Sequence, residues 1–389
     1  MQIQSKLPAV GTTIFSTMSQ LALEHQAINL GQGFPDFNPD PALIEAVHQA
    51  MLNGQNQYPP MAGHPGLRER IADKAEHRYG HRYDSNTEIT VTSGASEALM
   101  ASFLAFVHPG DEVILIEPFY DLYVPAIELA GGKAVPVPMT APSAQHAYYR
   151  VDWERVENAI TSRSRMLVIN FPHNPTCTNL RPQDLDALER LVEKHPLLIL
   201  SDEVYEHLTF DQQTHLSLST RPALAARSII VSSFGKTFHA TGWKVGYCCA
   251  PSALTTEIRK IHQYMVFTVP APLQAGLATY MQDSSTWESL PAFYQAKRDL
   301  LHQGLLQSRF TPLHSEGTFF LLASYEGISD QTELEFATWL TRHHGVGVIP
   351  VSAFYQNPES AQANHKLVRF CFAKQATTLN AAIERLQKV

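Results

Sequence analysis

Cysteine is scarce in this chain of 389 residues: Cys177, Cys248, Cys249 and Cys371 are the only four, and no two form a CxxC pair. So few cannot build a disulfide framework. Long apolar runs are missing too, and none approaches the ~20 residues of a membrane-spanning helix. Positive charge is in short supply. A formal net charge of −8 argues against nucleic acid as a general partner and leaves no basic face for a membrane. The opening MQIQSKLPAVGTTIFSTMSQ lacks the basic region and unbroken apolar run of a signal peptide. These absences lead to the expectation of a reducing, cytoplasmic setting. What remains is ordinary for a folded soluble protein, with 44% hydrophobic and 17% charged residues. The length allows a large domain plus a smaller one.

From about residue 64 to 250, helical and strand patterns alternate. Leu67, Ile71 and Ala75 share one face of a helix predicted over Gly66–Tyr79, and a second helix is predicted over Pro182–Lys194. Glu88–Thr92, Glu112–Glu117, Arg165–Asn170, Leu197–Ser201 and Arg227–Ser232 read as short buried strands. Between 88 and 112 a helix is predicted over Ser96–Val107. Apolar strands alternating with helices imply an α/β fold, a mostly parallel sheet covered on both faces. After about residue 285 the pattern changes to a smaller α+β unit. The predicted division is 1–40 joining the small domain, 41–285 as the large domain and 286–389 as the small domain.

Four segments follow predicted strands: TSGASEAL (92–99), NFPHNPT (170–176), SDEVYEH (201–207) and SSFGKTF (232–238). Strand ends of one parallel sheet converge, so their side chains can meet. Gly235-Lys236-Thr237 looks like the end of a nucleotide-binding P-loop, but Ile230 stands where that motif needs its first glycine. Gly94, Ala95 and Ser96 can receive an anion at a helix N-terminus, or Ser96 can simply cap the helix. Asp202 is a carboxylate at a buried strand end, which needs a partner. It could also join Glu203, Glu206 and His207 around a metal. Alternation along a strand sends Asp202 and Glu203 to opposite faces, and HExxH is absent, so the metal reading is the weaker one. Asn174 sits in a rigid turn before Pro175. Phe119, Tyr120 and Tyr123 form either a stacking wall or ordinary core.

Lys236 carries the most chemistry. A free lysine has a pKa of ~10.4 and is a poor nucleophile at neutral pH. A Schiff base to a carbonyl cofactor removes that difficulty. Pyridoxal phosphate requires an imine lysine, a carboxylate for its ring nitrogen, a phosphate cup and a stacking aromatic. Lys236, Asp202, the Gly94–Ser96 turn and Tyr120 supply one each.

Nearly the whole chain resembles the class I/II pyridoxal-phosphate aminotransferases of fold type I. Within them it resembles the branch of methionine and kynurenine/glutamine aminotransferases. NLGQGFPDF (29–37), NQYPPMAGHPGLR (56–68), EPFYDLY (117–123), SSFGKTFHATGWKVGY (232–247), EGTFFLL (316–322) and VRFCFAK (368–374) carry the likeness, with the four segments above. The resemblance implies a seven-stranded sheet between helices and a ping-pong exchange of amino and oxo groups between L-amino acids and 2-oxo acids. It also implies a homodimer with shared active sites. Lys236 would be the Schiff-base lysine and proton shuttle, and Asp202 the partner of the ring nitrogen. Tyr205 and Asn174 would bond the ring oxygen, and Tyr120 would stack. Gly94, Ala95, Ser96, Ser233 and Lys244 would hold the phosphate, with Tyr58 reaching the partner subunit's cofactor. Arg369 would clamp the substrate carboxylate beside Gly33.

Two departures bear on the substrate. The stretch HQYMVFTVPAPLQ (262–274) has no Arg or Lys, where aspartate-type relatives read a second carboxylate with arginine. Thr268 stands where animal kynurenine aminotransferases have a histidine. With Phe34, Tyr123 and Phe267 as expected walls, methionine is the favoured donor, with aromatic and other large neutral amino acids behind it. The alternative is a kynurenine/glutamine-type enzyme with cysteine-conjugate β-lyase side activity. A third reading, a cofactor-binding transcriptional regulator, fits poorly with an acidic chain that begins almost directly in aminotransferase-like sequence.

Overall fold

The computed structural model describes residues 3–143 and 147–389. A helix over Ile14–Glu24 leads into the two-residue strand β1 (Ile28–Asn29). The main sheet follows, with β2 (Ile89–Thr92), β3 (Glu112–Glu117), β4 (Lys133–Pro138), β5 (Ser164–Asn170), β6 (Leu198–Asp202), β7 (Ser228–Ser233) and β8 (Gly246–Cys249). Beyond them lie β9 (Thr311–Pro312), β10 (Phe320–Ser324), β11 (Val346–Gly347), β12 (Ile349–Pro350) and β13 (Leu367–Cys371).

The seven strands of the main sheet run in the order β2-β8-β7-β6-β5-β3-β4. β3, β4, β5, β6 and β7 pair in parallel, while β8 runs antiparallel to both β7 and β2. Side chains alternate between two cores. Val113, Leu115, Val168, Leu200, Val231 and Cys248 pack on the side of the helix Gly94–Phe106. Ile114, Ile116, Ile169, Ile199, Ile230 and Cys249 face the other way. Burial on both faces is why these strands read as unbroken apolar runs.

Two strands escape the apolar-run criterion. Lys133–Pro138 (KAVPVP) carries two prolines, which cannot donate to a ladder and are tolerated because β4 is at the sheet's edge. Gly246–Cys249 is too short and small-sided to stand out, and its two cysteines serve opposite cores. The helix expected to begin at Ser96 begins instead at Gly94. That shift places its first free N–H groups next to the end of β2.

A smaller sheet, β12-β13-β10-β9, is antiparallel throughout. β1 pairs in parallel with β11, tying the N-terminal segment to the C-terminal part of the chain. Among the described residues no helix is long and apolar enough to cross a membrane.

The main sheet is braced by a buried charge. The Glu206 carboxylate takes Lys74 Nζ at 2.6 Å, the Tyr79 hydroxyl at 2.5 Å, the Tyr247 hydroxyl at 3.0 Å and the Ser232 hydroxyl. Burial alone would raise this carboxyl; Lys74 and the other donors hold it well below the usual range. Removing one partner of such a pair strands the other charge in a low dielectric. Lys74→Met is therefore expected to lower stability by about 3–5 kcal/mol in denaturant unfolding, with part recovered by Lys74→Met/Glu206→Gln. A loss under about 1 kcal/mol would contradict this account of the network.

Candidate active site

The parallel strands end on one edge of the sheet, and a cavity of about 360 Å³ opens there. Lys236 lies in the single turn Phe234–Thr237 that follows β7, Asp202 ends β6, Asn174 follows β5, and Gly94–Ser96 follow β2. Because β8 runs the opposite way, it begins where its neighbours finish. Lys244, two residues before β8, thus reaches the same edge. All of these residues line the cavity, with Tyr120, Tyr205, Ser233, Gly33, Phe34 and Arg369.

Lys236 Nζ donates to the Gly33 carbonyl at 2.9 Å and looks into the cavity. Burial, reinforced by the Arg369 charge, pushes its pKa down to about 8, although Cys371 and Asp202 pull the other way. Asp202 is held by the Tyr123 hydroxyl at 2.7 Å, and burial lifts its carboxyl to about 6. Tyr205 is buried with its ring edge-on to Phe319 and Phe320, and desolvation drives its phenol well above the usual range. Burial likewise raises Tyr120, to about 12, with the nearby Asp121 and Asp202 charges adding to the rise.

Arg369 sits in the middle of β13, opposite Leu322 on β10 and Ile349 on β12, and is only 1% exposed. One terminal nitrogen donates to Asn174 Oδ1 and the other to the Gly31 carbonyl at 3.1 Å; its Nε has no partner among the described residues. The guanidinium lies 3.7 Å from the Phe320 ring centroid and 4.7 Å from that of Phe354. Desolvation lowers its pKa to about 10. Neutral acceptors alone hold it, so it is ready for an incoming carboxylate. A line of amides links it to Asp202: Asn170 Oδ1 accepts from the Asn174 N–H at 3.0 Å, and Asn170 Nδ2 donates to the Asp202 carbonyl at 2.8 Å.

At the far end is a cup made of backbone. Gly94 has φ +69°, and a Cβ there would stand 3.3 Å from Lys244 Cε and Nζ. A Cβ on Gly246 would stand 2.7 Å from Ala95 N, so only glycine lets β8 approach the helix start so closely. Lys244 adopts a left-handed conformation, φ +54°, and donates to Ser96 Oγ at 3.3 Å. The N-cap is Ser93, whose side chain makes no capping bond. Ser96 therefore is not consumed as a cap. The cup combines a helix N-terminus, a lysine and hydroxyls, which is the chemistry of phosphate binding.

The family model for aminotransferase class I and II matches residues 25–386. The chain belongs to that family. It is 47% identical to the methionine aminotransferase of Escherichia coli, over 99% of this chain and 98% of that one. The crystal structure of an E. coli protein with a methionine aminotransferase function superposes with a TM-score of 0.96, over the whole of both chains at 47% identity. A probable N-succinyldiaminopimelate aminotransferase of Mycobacterium tuberculosis is 40% identical over 98% of this chain and 97% of its own. The kynurenine–oxoglutarate transaminase of Dictyostelium discoideum is 34% identical over 97% and 94%.

Two expected walls of this aminotransferase's cavity lie elsewhere. Tyr123 is not a cavity wall; it is buried behind Asp202, where its hydroxyl fixes the carboxylate. Tyr58, which the resemblance assigns to the partner subunit's cofactor and not to this cavity, is 83% exposed and packs edge-on against Phe267, 5.4 Å between centroids. Phe267 itself does not line the cavity. The carboxylates of the metal alternative have separate partners: Glu203 pairs with His215 at 2.8 Å, Glu206 with Lys74, and Asp202 with the Tyr123 hydroxyl. Sequence reasoning missed Phe15, Gln32, Asn170 and Phe320, which also line the cavity. Asn170 had a signal, a polar residue ending an apolar strand in register with Asp202. Phe15 and Phe320 had none, since aromatic residues among apolar ones read as core.

The lowered Lys236 pKa has a direct consequence. Burial disfavours the ammonium, so in the cofactor-free protein this amine becomes neutral as pH rises through about 8, well below the ~10.4 of a free lysine. Competitive acylation followed by peptide mapping is expected to place its half-maximal reactivity near pH 8. A midpoint near 10 would contradict the desolvation argument.

Proposed function

We propose that this aminotransferase carries pyridoxal 5′-phosphate and moves the amino group of methionine to a 2-oxo acid, with other large neutral and aromatic L-amino acids as lesser donors. One observation carries the substrate reading. Among the described residues the cations lining the cavity are Lys236, Lys244 and Arg369, and of these Arg369 is the one left for a substrate carboxylate. A second carboxylate would be buried unpaired, at a cost of several kcal/mol. Phe15, Phe34 and Phe320 offer an apolar surface beside Arg369 instead. The 47% identity to a methionine aminotransferase supports the same reading.

The residues fit the cofactor. The glycine-built cup beside Lys244 suits its phosphate, and the buried Asp202 carboxylate suits a ring nitrogen. Bound pyridoxal phosphate supplies the aldehyde carbon through which amino groups are exchanged and a ring that takes up the electron pair left at Cα. Asp202, ionised above about pH 6, would hold a proton on the ring nitrogen. Lys236, held at the cavity wall by Gly33, would take the Cα proton as a base and deliver it as an acid to the carbon that carried the cofactor's aldehyde. Its pKa near 8 suits both directions. Arg369 grips the α-carboxylate through two parallel hydrogen bonds and so fixes the Cα–H bond relative to Lys236. Tyr205 and Asn174 serve the ring oxygen, and Tyr120 the ring face. We also assign this chain to a cytoplasmic homodimer. The homodimer part is supported by an exposed apolar run, Tyr264–Phe267, next to an exposed Tyr58.

Lys236→Ala is expected to abolish turnover and the visible absorbance change on adding methionine, and retained multiple turnover would sink the assignment. Arg369→Lys keeps the charge but loses the planar fork, so kcat/KM for methionine is expected to fall about 100-fold. In a single-turnover screen of amino acids on the holoenzyme, methionine should react fastest and aspartate at least tenfold more slowly. A preference for aspartate would overturn the substrate reading.

A further inference from the structure

Residues 31–37 form a strap along the cavity, and three cations grip its carbonyl oxygens. Arg369 donates to Gly31 at 3.1 Å, Lys236 to Gly33 at 2.9 Å and Lys374 to Phe34 at 2.7 Å. The first two cations belong to the site described above. Lys374 does not line the cavity, yet it is 4% exposed. Among the described residues it has no carboxylate partner. Its amine meets the Phe34 carbonyl and stands 4.8 Å from the centroid of the Phe34 ring. Burying an ammonium without a counter-charge costs several kcal/mol, where an apolar side chain would pack without that penalty. The amine is explained by what it holds.

A second clasp lies beside it. The Asp36 carboxylate accepts from the Gln375 N–H at 2.6 Å and from the Thr378 hydroxyl at 2.7 Å, while Gln375 Nε2 donates back to the Asp36 carbonyl at 3.1 Å. The strap is thereby fastened to the N-terminus of the helix Ala376–Leu386. Lys297 donates to the Lys374 carbonyl at 2.7 Å and lies over Phe37 and Phe293, steadying the lysine's own backbone. Gly33 has no room to move inward, since even a Cβ there would stand 2.5 Å from Phe320 Cζ.

The three grips differ in permanence. In the function proposed above, Lys236 turns to the cofactor and Arg369 to a substrate carboxylate, so neither is a constant donor to the strap. Lys374 and Asp36 have no such second duty. Phe34, 44% exposed at the boundary of cavity and solvent, therefore keeps these two polar fastenings of its strap through the cycle.

We propose that Lys374 is a specificity-determining positioning residue: with the Asp36 clasp, it fixes Phe34 over the cavity mouth and so favours large neutral side chains over small ones. This rests on the reading of the chain as an aminotransferase for large neutral amino acids. The test is the ratio of kcat/KM for methionine to that for alanine, measured with one common 2-oxo acid. Lys374→Met is expected to lower the ratio about tenfold, the scale at which a pocket distinguishes side chains differing by a few carbons. Lys374→Arg should retain most of it. Phe34→Ala should lower the ratio similarly, and adding Lys374→Met to Phe34→Ala should lower it no further, because both act through one ring. An unchanged ratio in Lys374→Met, or a full additional loss in the double variant, would overturn the proposal. Should Lys374→Met fail to fold, Asp36→Asn/Thr378→Val loosens the same strap from the surface and is held to the same ratio. If the wild-type protein does not turn over methionine, the substrate reading fails separately. Amide hydrogen exchange over residues 31–37 then decides the clasp: faster exchange in the loosened variants supports it, and equal exchange overturns it.

Discussion

A buried guanidinium with no hydrogen-bonded carboxylate among the described residues is the constraint around which this protein is arranged. Arg369 sits in the centre of a small antiparallel sheet, where leaving water costs several kcal/mol. Neutral groups bond and cover it, with only a through-space pull from Asp121 beside them: the Asn174 amide, the Gly31 carbonyl and the faces of Phe320 and Phe354. Each comes from a different part of the chain. To satisfy one side chain, the segment after β5, the N-terminal strap and two pieces of the C-terminal region must meet, and the cavity is the space they enclose.

The same logic of incomplete compensation runs through the other charges. Asp202 has the Tyr123 hydroxyl and only a through-space pull from Lys236, with no ion pair among the described residues, and burial lifts its carboxyl. Lys236 has the Gly33 carbonyl and is pushed down. The Glu206–Lys74 pair, which plays no part in the cavity, is by contrast fully surrounded by donors. Structural charges here are satisfied within the protein, whereas those at the cavity keep capacity for a ligand. That difference marks the site more sharply than the residue types do.

Much of the site was legible because parallel strands end together. Lys236, Asp202, Asn174 and Gly94–Ser96 each follow an apolar run, and register alone puts Asn170 beside Asp202. Tyr123 was misplaced because a tyrosine one helical turn past a strand can face a cavity or a buried carboxylate, and sequence pattern does not distinguish them. β4 and β8 were overlooked for local reasons, prolines in one and small side chains in the other, though the sheet needs both. The reversal of β8 was also invisible, and it alone explains how Lys244 reaches the cup.

By itself the sequence determined the α/β class, the lysine, carboxylate and glycine turn at strand ends, and the absence of Arg and Lys within residues 262–274. These are matters of residue type and spacing, which local chemistry dictates. Tertiary structure decided which charges are left unpaired, that Phe15 and Phe320 are walls and not merely core, and that Lys374 holds a strap more than 300 positions away in the chain. The physical reason is that desolvation and hydrogen-bond satisfaction depend on what surrounds a group in space. Neighbours along the chain supply little of that surrounding.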